Sequence, residues 1–515
     1  MKKTILYLFI SLFALVSCNK FLDTMPDNRA ELNSADKVRS ILVSAYPNNS
    51  DYVMTEMASD NAMDNSAKFT IEDKAQEESY LWQDITSTNN DSPKSYFDAC
   101  YGAVAAANQA LDAIEKLGNT KDLQAQKGEA LMCRAYGHFL LANLFCLPYN
   151  PETADKDLGM PYSFAPETQV KPKYTRGTMK TLYENINADI EAALPLINDE
   201  IYKIPKYHFN KKAAYAFAAR FNLYYHNYDK VIEYANVVLG DVPSKMLRDW
   251  ASIRNSASNW GLRVDMYISA NEPANLLLST VSSSWGYWGG PYNLGKRYGH
   301  AKPIFTTESV RTSGLWGTYS VLYPASSVWG YDEKLVVTKI GGYFEYTDKV
   351  NGIGYRRNVN VRFSTNETLL CRAEAYALKK DYDKAAADIS LWIRANSSVN
   401  KEFTKDDIVN FYSKINDMPT IVTNDNQRTV RKKINPRGFI VEDGDQLNII
   451  QCILHLRRIE TVHEGLRWQD IKRYGIEIAH NRDGLEPDVL KVDDPRRAFQ
   501  LPLDVIDAGL EPNPR

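Results

Sequence analysis

The sequence lacks the motifs that would indicate metal, phosphate or nucleic-acid chemistry. Its 7 histidines are scattered over 515 residues, and the patterns HExxH, GxSxG and the P-loop are missing. The 61 basic side chains are balanced by 64 acidic ones, giving a net charge of −3 with no basic field for nucleic acid. We therefore expect no metal site, no cofactor and no nucleic-acid partner.

Cysteines are few, and their spacing indicates no CxxC or metal-type cluster. After Cys18, five remain, an odd number that is widely scattered along the chain. Most lie in apolar, helix-like sequence, which predicts buried free thiols and leaves a single disulfide open. The five are Cys100, Cys133, Cys146, Cys371 and Cys452.

The N-terminus has the pattern of a bacterial lipoprotein signal. Lys2 and Lys3 precede an apolar run over residues 5–16, which is too short to span a bilayer. The run ends in Leu-Val-Ser before Cys18, a lipobox that predicts diacylglyceryl attachment to the Cys18 thiol and cleavage before it. We expect a signal peptide at 1–17 and a lipidated tether at 18–36, hence a membrane lipid anchor. Asn19 follows Cys18, and not Asp, so nothing argues for retention at the inner membrane.

The remainder, 37–515, is predicted to be one mainly α domain. Alanine-rich segments at 96–117 and 122–144 suit closely packed helices. Tyr-Asp-Lys recurs at 228–230 and 382–384, each time after an Ala/Tyr-rich segment, as at the turn of a tetratricopeptide-like helical pair. Between these pairs we expect a loop-rich insertion at about 240–363 with a few short β-strands, including 335–340 and 358–363.

Residues 449–475 have the period of a helix that turns from apolar to charged. Arg457, Glu460, Glu464 and Arg467 follow one another at steps of three, four and three. A solvated face of ion pairs is one interpretation; we favour a partly buried charge network that ties the helix to its neighbours. An arginine at helical spacing should lower the pKa of Glu460, which suits ion pairing and not a general acid.

Several segments together resemble the SusD/RagB-type outer-membrane lipoproteins of Bacteroidetes over nearly the whole chain. The most specific is similar to the family's charged signature, although Leu456 and His463 depart from its usual residues. The segments are Ser17-Cys18, Phe21-Leu22-Asp23, Pro26, Arg134-Ala135-Tyr136, Leu144-Phe145, Arg176-Gly177-Thr178, Arg457-Arg458, Glu460, Glu464-Gly465, Arg467-Trp468, Asp470, Lys472-Arg473, Gly475, Pro502 and Asn513-Pro514.

The resemblance implies a helical scaffold that captures oligosaccharide at the cell surface and delivers it to a TonB-dependent, SusC-like transporter barrel. It transfers no binding residues, because the signature motifs do not carry them. It implies no catalysis. Two alternatives remain open: a peptide-binding uptake lipoprotein of the same fold, and an all-helical surface glycosidase using two carboxylates.

The ligand site is predicted from the aromatic composition, 32 Tyr, 9 Trp and 18 Phe. A sugar's C–H face stacks on Trp or Tyr, and such rings in Gly-flanked or polar sequence are the natural candidates. For each single ring a place in the core is an equal alternative. The candidate ligand-binding residues are Trp82, Trp285, Tyr287, Trp288, Tyr292 and Trp316.

Overall fold

The computed structural model describes residues 32–71, 73–168, 173–256, 259–288, 297–326, 328–330 and 335–515; for 288, 326 and 328–330 it describes the backbone alone. The predicted signal peptide, Cys18 and most of the tether lie outside these ranges. The α-helices of the described residues are α1 Ala35–Leu42, α2 Tyr52–Ala58, α3 Lys74–Tyr80, α4 Pro93–Lys116, α5 Gln124–Phe145, α6 Met179–Ala193, α7 Lys211–Tyr224, α8 Tyr228–Leu239, α9 Trp250–Asn255, α10 Trp260–Tyr267, α11 Trp285–Trp288, α12 Lys302–Thr307, α13 Tyr323–Ser326, α14 Thr365–Leu378, α15 Tyr382–Asn396, α16 Lys405–Tyr412, α17 Asp445–Glu460, α18 Leu466–Arg473 and α19 Leu503–Asp507.

Consecutive helices pack as pairs, which confirms the predicted mainly α scaffold. Helices α4 and α5, α7 and α8, and α14 and α15 lie against one another. The two Tyr-Asp-Lys segments open α8 and α15, and the turns before them share one backbone geometry, because His226 and Lys380 both have φ of +63°. A positive φ reverses the chain within a few residues, so each pair closes with a short turn.

The predicted insertion carries most of the β-structure. The strands are β1 Met63–Asp64, β2 Asn275–Ser282, β3 Tyr298–Gly299, β4 Val328–Gly330, β5 Leu335–Val337, β6 Tyr343–Asp348, β7 Ile353–Ser364, β8 Ile478–Arg482 and β9 Leu485–Leu490. Among the described residues the largest sheet has three antiparallel strands in the order β2-β7-β6. The sequence predicted β5 and the end of β7, and it missed β2 and β6.

The sheet is joined to the helical scaffold at the end of β7. Phe363 is buried, and its ring lies 5.8 Å from that of Phe217 on α7 and 5.7 Å from that of Tyr136 on α5. These rings belong to one large apolar cluster that also includes the helical pairs. Aromatic contacts of this kind fix the sheet relative to the scaffold, so β6 is held at a defined place on the surface.

The five cysteines after Cys18 are buried and free, as the sequence predicted. Within the described residues, no helix combines the length and the apolar character that crossing a membrane requires.

The charged stretch 449–475 is two helices, so the prediction of one continuous helix is wrong. Helix α17 ends at Glu460 and α18 begins at Leu466, after Gly465 with φ of +75°. A Cβ on Gly465 would lie 2.4 Å from Thr55 Oγ1, because α2 packs directly against this turn. The spacing of apolar and charged residues continues across this break, so the sequence pattern does not show where α17 ends. The break lies where the chain packs against α2.

Glu56 on α2 should make the stability of the protein depend on pH. It is buried, accepts a hydrogen bond from the Gly465 N–H at 2.9 Å, and burial raises its pKa to about 7 from an ordinary value of 4.5. The unfolded chain loses this proton at lower pH than the folded one, so the free energy of unfolding should fall by about 2–3 kcal/mol between pH 5 and pH 8.

Urea unfolding of Glu56→Gln at pH 5 and pH 8 measures this dependence. The variant should be relatively more stable than the wild type at pH 8, since the amide carries no charge at either pH. Glu402→Gln, at an exposed site, is the matched control and should follow the wild type. Equal pH dependence in wild type and Glu56→Gln would contradict the assignment.

Candidate functional site

Three of the predicted ligand-binding tryptophans lie in the interior. Trp82 is 6% exposed, and Trp285 and Trp316 are each 4% exposed. Their indole N–H groups donate to backbone carbonyls of Ala58, His463 and Thr312, respectively. A covered ring with a satisfied N–H packs as core and offers no open face to a ligand. We therefore assign these three tryptophans a structural role, in place of the ligand contact that the sequence predicted.

Of the other three predicted aromatics, Tyr287 is the one whose side chain the structure describes. Tyr287 is half-buried on α11. Trp288 ends the same helix, and its side chain lies outside what the structure describes. Tyr292 also lies outside the described residues. Tyr287 is therefore the predicted residue around which a surface site can be built.

Tyr287 lies on one face of the hairpin formed by β6 and β7. In this antiparallel pair Phe344 is opposite Arg356, and Tyr346 is opposite Gly354. Residues directly opposite one another in such a pair share a face of the sheet. We call the surface formed by Tyr287, Phe344, Tyr346 and Arg356 the hairpin platform.

The platform is an open aromatic surface. Phe344 is 40% exposed and Tyr346 is 51% exposed, and their ring centroids lie 4.9 Å apart at 65°. From Gly342, beside Tyr287, to Tyr346 the strand rises about 13 Å. The exposed rings of Phe344 and Tyr346 offer an apolar surface on which a sugar ring can stack.

Gly342 allows Tyr287 to approach the hairpin. A Cβ on this glycine would lie 2.9 Å from Cδ2 and Cε2 of the Tyr287 ring, closer than any side chain permits. Arg356 also contacts the Tyr287 ring, and its guanidinium carbon lies 4.5 Å from the ring centroid. This cation–π contact and the missing side chain at residue 342 together hold Tyr287 flat against the strand pair.

The segment before α11 is held by a buried carboxyl group. Asp91 accepts hydrogen bonds from the Ser283 hydroxyl and from the Ser284 N–H at 2.8 Å. Burial raises the pKa of Asp91 to about 7. Through these bonds Asp91, in the loop before α4, fixes the chain immediately before Tyr287. This loop therefore helps to position the platform, although it is not part of it.

The acidic groups of the hairpin are engaged away from the platform. Glu345 pairs with Arg357 at 2.9 Å on the opposite face, where Tyr343 donates to Asp265 at 2.8 Å. Asp348 accepts hydrogen bonds from the N–H groups of the turn that joins the strands. The platform face is therefore aromatic with one positive charge.

Three members of the predicted charge ladder are buried and Glu464 is partly buried, but the four do not pair with one another. Arg457 donates from Nε to both oxygens of Asp470 at 3.0 Å, and Arg467 binds both oxygens of Asp60 at 2.8 and 2.9 Å. Glu460 accepts from the Trp392 indole N–H, and Glu464 accepts from the Tyr267 hydroxyl. The ladder thus joins α17 and α18 to other parts of the chain, as expected of a network rather than of a solvated face.

The prediction of a lowered pKa for Glu460 is wrong. Burial raises its pKa, because the loss of water outweighs the attraction of Lys339 and Arg248. The arginine at helical spacing, Arg457, points to Asp470 instead. Arg457 and Glu460 are three residues apart on α17, but the neighbouring elements supply the partners that each side chain contacts.

Two carboxyl groups close together in sequence, those of Glu56 and Asp60, lie in the interior and are not exposed to a surface-bound sugar. Glu56 and Asp60 are both buried, and Asp60 is engaged by Arg467, Arg458 and Lys432, which hold its pKa well below its usual range despite burial. No group of three or more His, Cys, Asp and Glu side chains that could hold a metal ion is found in the part of the chain that the structure describes. The four residues that define the hairpin platform include no carboxyl group.

Comparison with known proteins finds a similarity to the SusD-like proteins in the N-terminal part of the chain. Residues 20–223 match the family model SusD-like, whose description is starch-binding associating with outer membrane. No curated protein matches the chain in sequence. This part of the chain, residues 20–223, is similar to the SusD-like family, in agreement with the resemblance seen in the sequence.

Solved structures of the SusD superfamily share the fold. A SusD superfamily protein from Bacteroides fragilis is 15% identical, with 93% of this chain and 99% of that chain covered and a TM-score of 0.63. One from Bacteroides thetaiotaomicron is 18% identical, with 94% and 100% covered and a TM-score of 0.60. A SusD-like carbohydrate binding protein from Bacteroides vulgatus is 15% identical, with 89% of each chain covered and a TM-score of 0.58.

Phe344, Tyr346 and Arg356 were not predicted from the sequence. The signal that could have found them is the Asn-Gly pair at 351–352, a typical hairpin turn, after the aromatic run Tyr343–Tyr346. The prediction concentrated on tryptophan and on residues 280–331, so it stopped one strand short of the exposed surface.

Proposed function

We propose that the protein is a non-catalytic, cell-surface lipoprotein that binds oligosaccharide at the hairpin platform. The observation that carries this proposal is the pair of exposed rings, Phe344 and Tyr346, on the face of the hairpin where Arg356 contacts Tyr287. The starch-binding description of the matching family supports carbohydrate as the ligand class.

The platform suits a sugar for physical reasons. The C–H groups of a pyranose face form an apolar surface that stacks on an aromatic ring, while its hydroxyl groups remain available for hydrogen bonds at the ring's edge. Phe344 and Tyr346 are held on a strand, so little side-chain and backbone freedom is lost on binding. A rigid, shallow aromatic surface binds without enclosing its ligand, which suits capture and release.

The transporter partner and the anchor complete the proposal. The lipobox at Cys18 supports attachment to the outer membrane, in agreement with the family's description. The SusC-like, TonB-dependent barrel to which the oligosaccharide would pass is implied by the family resemblance. The helical pairs supply the surface away from the platform that such a partner would contact.

Replacing Phe344 and Tyr346 together by alanine tests the proposed site. We expect at least a tenfold loss of affinity for the oligosaccharide, because each stacked ring contributes about 0.5–1.5 kcal/mol beyond the area it buries. Thermal stability should change little, since both rings are exposed. Calorimetric titration, after a glycan array has identified a binding oligosaccharide, measures the loss.

The matched control is Phe164→Ala, which removes an exposed phenylalanine far along the chain from the hairpin. This variant should bind like the wild type. Undiminished binding by the Phe344→Ala/Tyr346→Ala double variant would show that the ligand binds elsewhere. Release of reducing sugar by the purified protein would instead favour the glycosidase alternative.

A peptide ligand is the second candidate, because β6 is an edge strand. In the described residues it pairs with β7 alone, so its other edge can accept an extended chain. Backbone pairing of this kind does not depend on the two aromatic side chains. A peptide bound equally by the wild type and the double variant would favour this alternative.

A further inference from the structure

Arg356 is the one charged member of the hairpin platform. Its guanidinium is half-buried against Tyr287, and within the described residues it forms no ion pair and no hydrogen bond. The nearby arginine Arg357, in contrast, pairs with Glu345 on the other face. Glu345 of the hairpin thus pairs with Arg357, and among the described residues Arg356 has no acidic partner.

The buried carboxyl group of Asp91 does not form an ion pair with Arg356. Asp91 feels the charge of Arg356 only weakly, and its two oxygens are bound by Ser283 and Ser284. A guanidinium that has lost part of its water and has no acceptor is costly, and an anion that binds it removes that cost.

The position of Arg356 suits a ligand that also stacks. It lies directly opposite Phe344 in the strand pair, so the two side chains leave the sheet about 5 Å apart on the same face. With Tyr287 covering one side, the planar guanidinium keeps its N–H edge free for two parallel hydrogen bonds to a carboxylate or sulfate. A sugar ring on Phe344 would bring an acidic substituent within reach of that edge.

We propose that the hairpin platform selects an acidic saccharide, whose carboxylate or sulfate group pairs with Arg356 while its ring stacks on Phe344 and Tyr346. This inference rests on the proposed function and names the class of sugar that the same site takes. A neutral glycan would stack but would leave the arginine unpaired.

The test uses matched pairs of oligosaccharides that differ in charge alone. Oligogalacturonate is compared with its methyl ester for the carboxylate, and a sulfated galactan oligomer with its desulfated form for the sulfate. With the full chain we expect the acidic member of at least one pair to bind about ten- to a hundredfold more tightly, and the preference to shrink as salt is added.

Arg356→Gln should remove that preference, so that the acidic and the neutral member of a pair bind with equal affinity. Arg357→Gln, one residue along on the opposite face, is the matched control and should change affinity less than twofold. Arg356→Lys should keep part of the preference, because the charge remains and the planar fork is lost. Thermal melting of all variants checks that they are folded.

The possible failures are distinguishable. Equal binding of acidic and neutral members, unaffected by Arg356→Gln, overturns the inference and leaves the proposed function standing. Failure of folded wild-type protein to bind any oligosaccharide of the panel overturns the proposed function and the inference with it. If Arg356→Gln still binds the acidic oligosaccharide more tightly than the neutral one, a different positive charge causes the preference, and the inference is also overturned.

Discussion

Replacing Arg457 by alanine is expected to lower the free energy of unfolding by about 3–5 kcal/mol, because it leaves buried carboxylates without their shared cation. Arg457 is completely buried. It holds Asp470 through two contacts of 3.0 Å and lies 3.8 Å from Glu374 and 3.7 Å from Glu367. Burial opposes ionisation of Glu374, and Arg473 together with Arg457 nevertheless keeps its pKa below the usual value.

Urea denaturation of purified protein, followed by circular dichroism, measures this loss. Arg394→Ala is the matched control, because Arg394 pairs with Glu402 at the surface and such pairs contribute about 0–1 kcal/mol. Glycan affinity of the Arg457→Ala protein that remains folded should be unchanged, since the network does not touch the hairpin platform. A variant as stable as Arg394→Ala would contradict the structural role assigned to the charged stretch.

Gly475→Ala should also destabilise the protein, by about 2–4 kcal/mol. Gly475 has φ of +54°, and a Cβ there would lie 2.0 Å from the backbone oxygen of Asn435. The two segments cannot simply separate, because the Asn435 N–H donates to the Tyr474 carbonyl at 2.7 Å. The substitution therefore combines left-handed strain with a backbone clash that only a broken hydrogen bond can relieve.

Gly484→Ala separates these two effects. Gly484 has a similar φ of +74°, but a Cβ there would meet open space. This control should cost only the conformational strain, about 1 kcal/mol. The difference between the two melting temperatures then measures the clash. Equal losses would show that the Gly475 turn relaxes without penalty.

The helical scaffold could be predicted because its signals are local. Alanine-rich segments, capping residues and the two Tyr-Asp-Lys turns each act over a few neighbouring residues, and the structure places helices α4, α5, α8 and α15 where they indicate. Buried free cysteines followed from the apolar residues around them. Helix formation depends mainly on residues three and four positions apart, which a sequence displays directly.

The site depended on contacts that no local pattern contains. Tyr287 forms a cation–π contact with Arg356, which is 69 residues away in the chain. Trp285, two positions before Tyr287, is buried, and its N–H donates to the His463 carbonyl. Two aromatic residues in one Gly-flanked segment thus have opposite environments. Composition can say that aromatics are plentiful, but exposure is decided by what the rest of the fold places over each ring.

The sequence by itself predicted the helical pairs, contained a lipobox pattern at Cys18, and carried a charged stretch around Arg457 and Arg467 that resembles SusD-like proteins. Only the tertiary structure decided which groups those arginines meet, since Asp60 lies 407 residues from Arg467. It also decided that the open aromatic face belongs to the β6–β7 hairpin. Ion pairing and burial depend on distance in space, and chain folding sets that distance independently of separation in sequence.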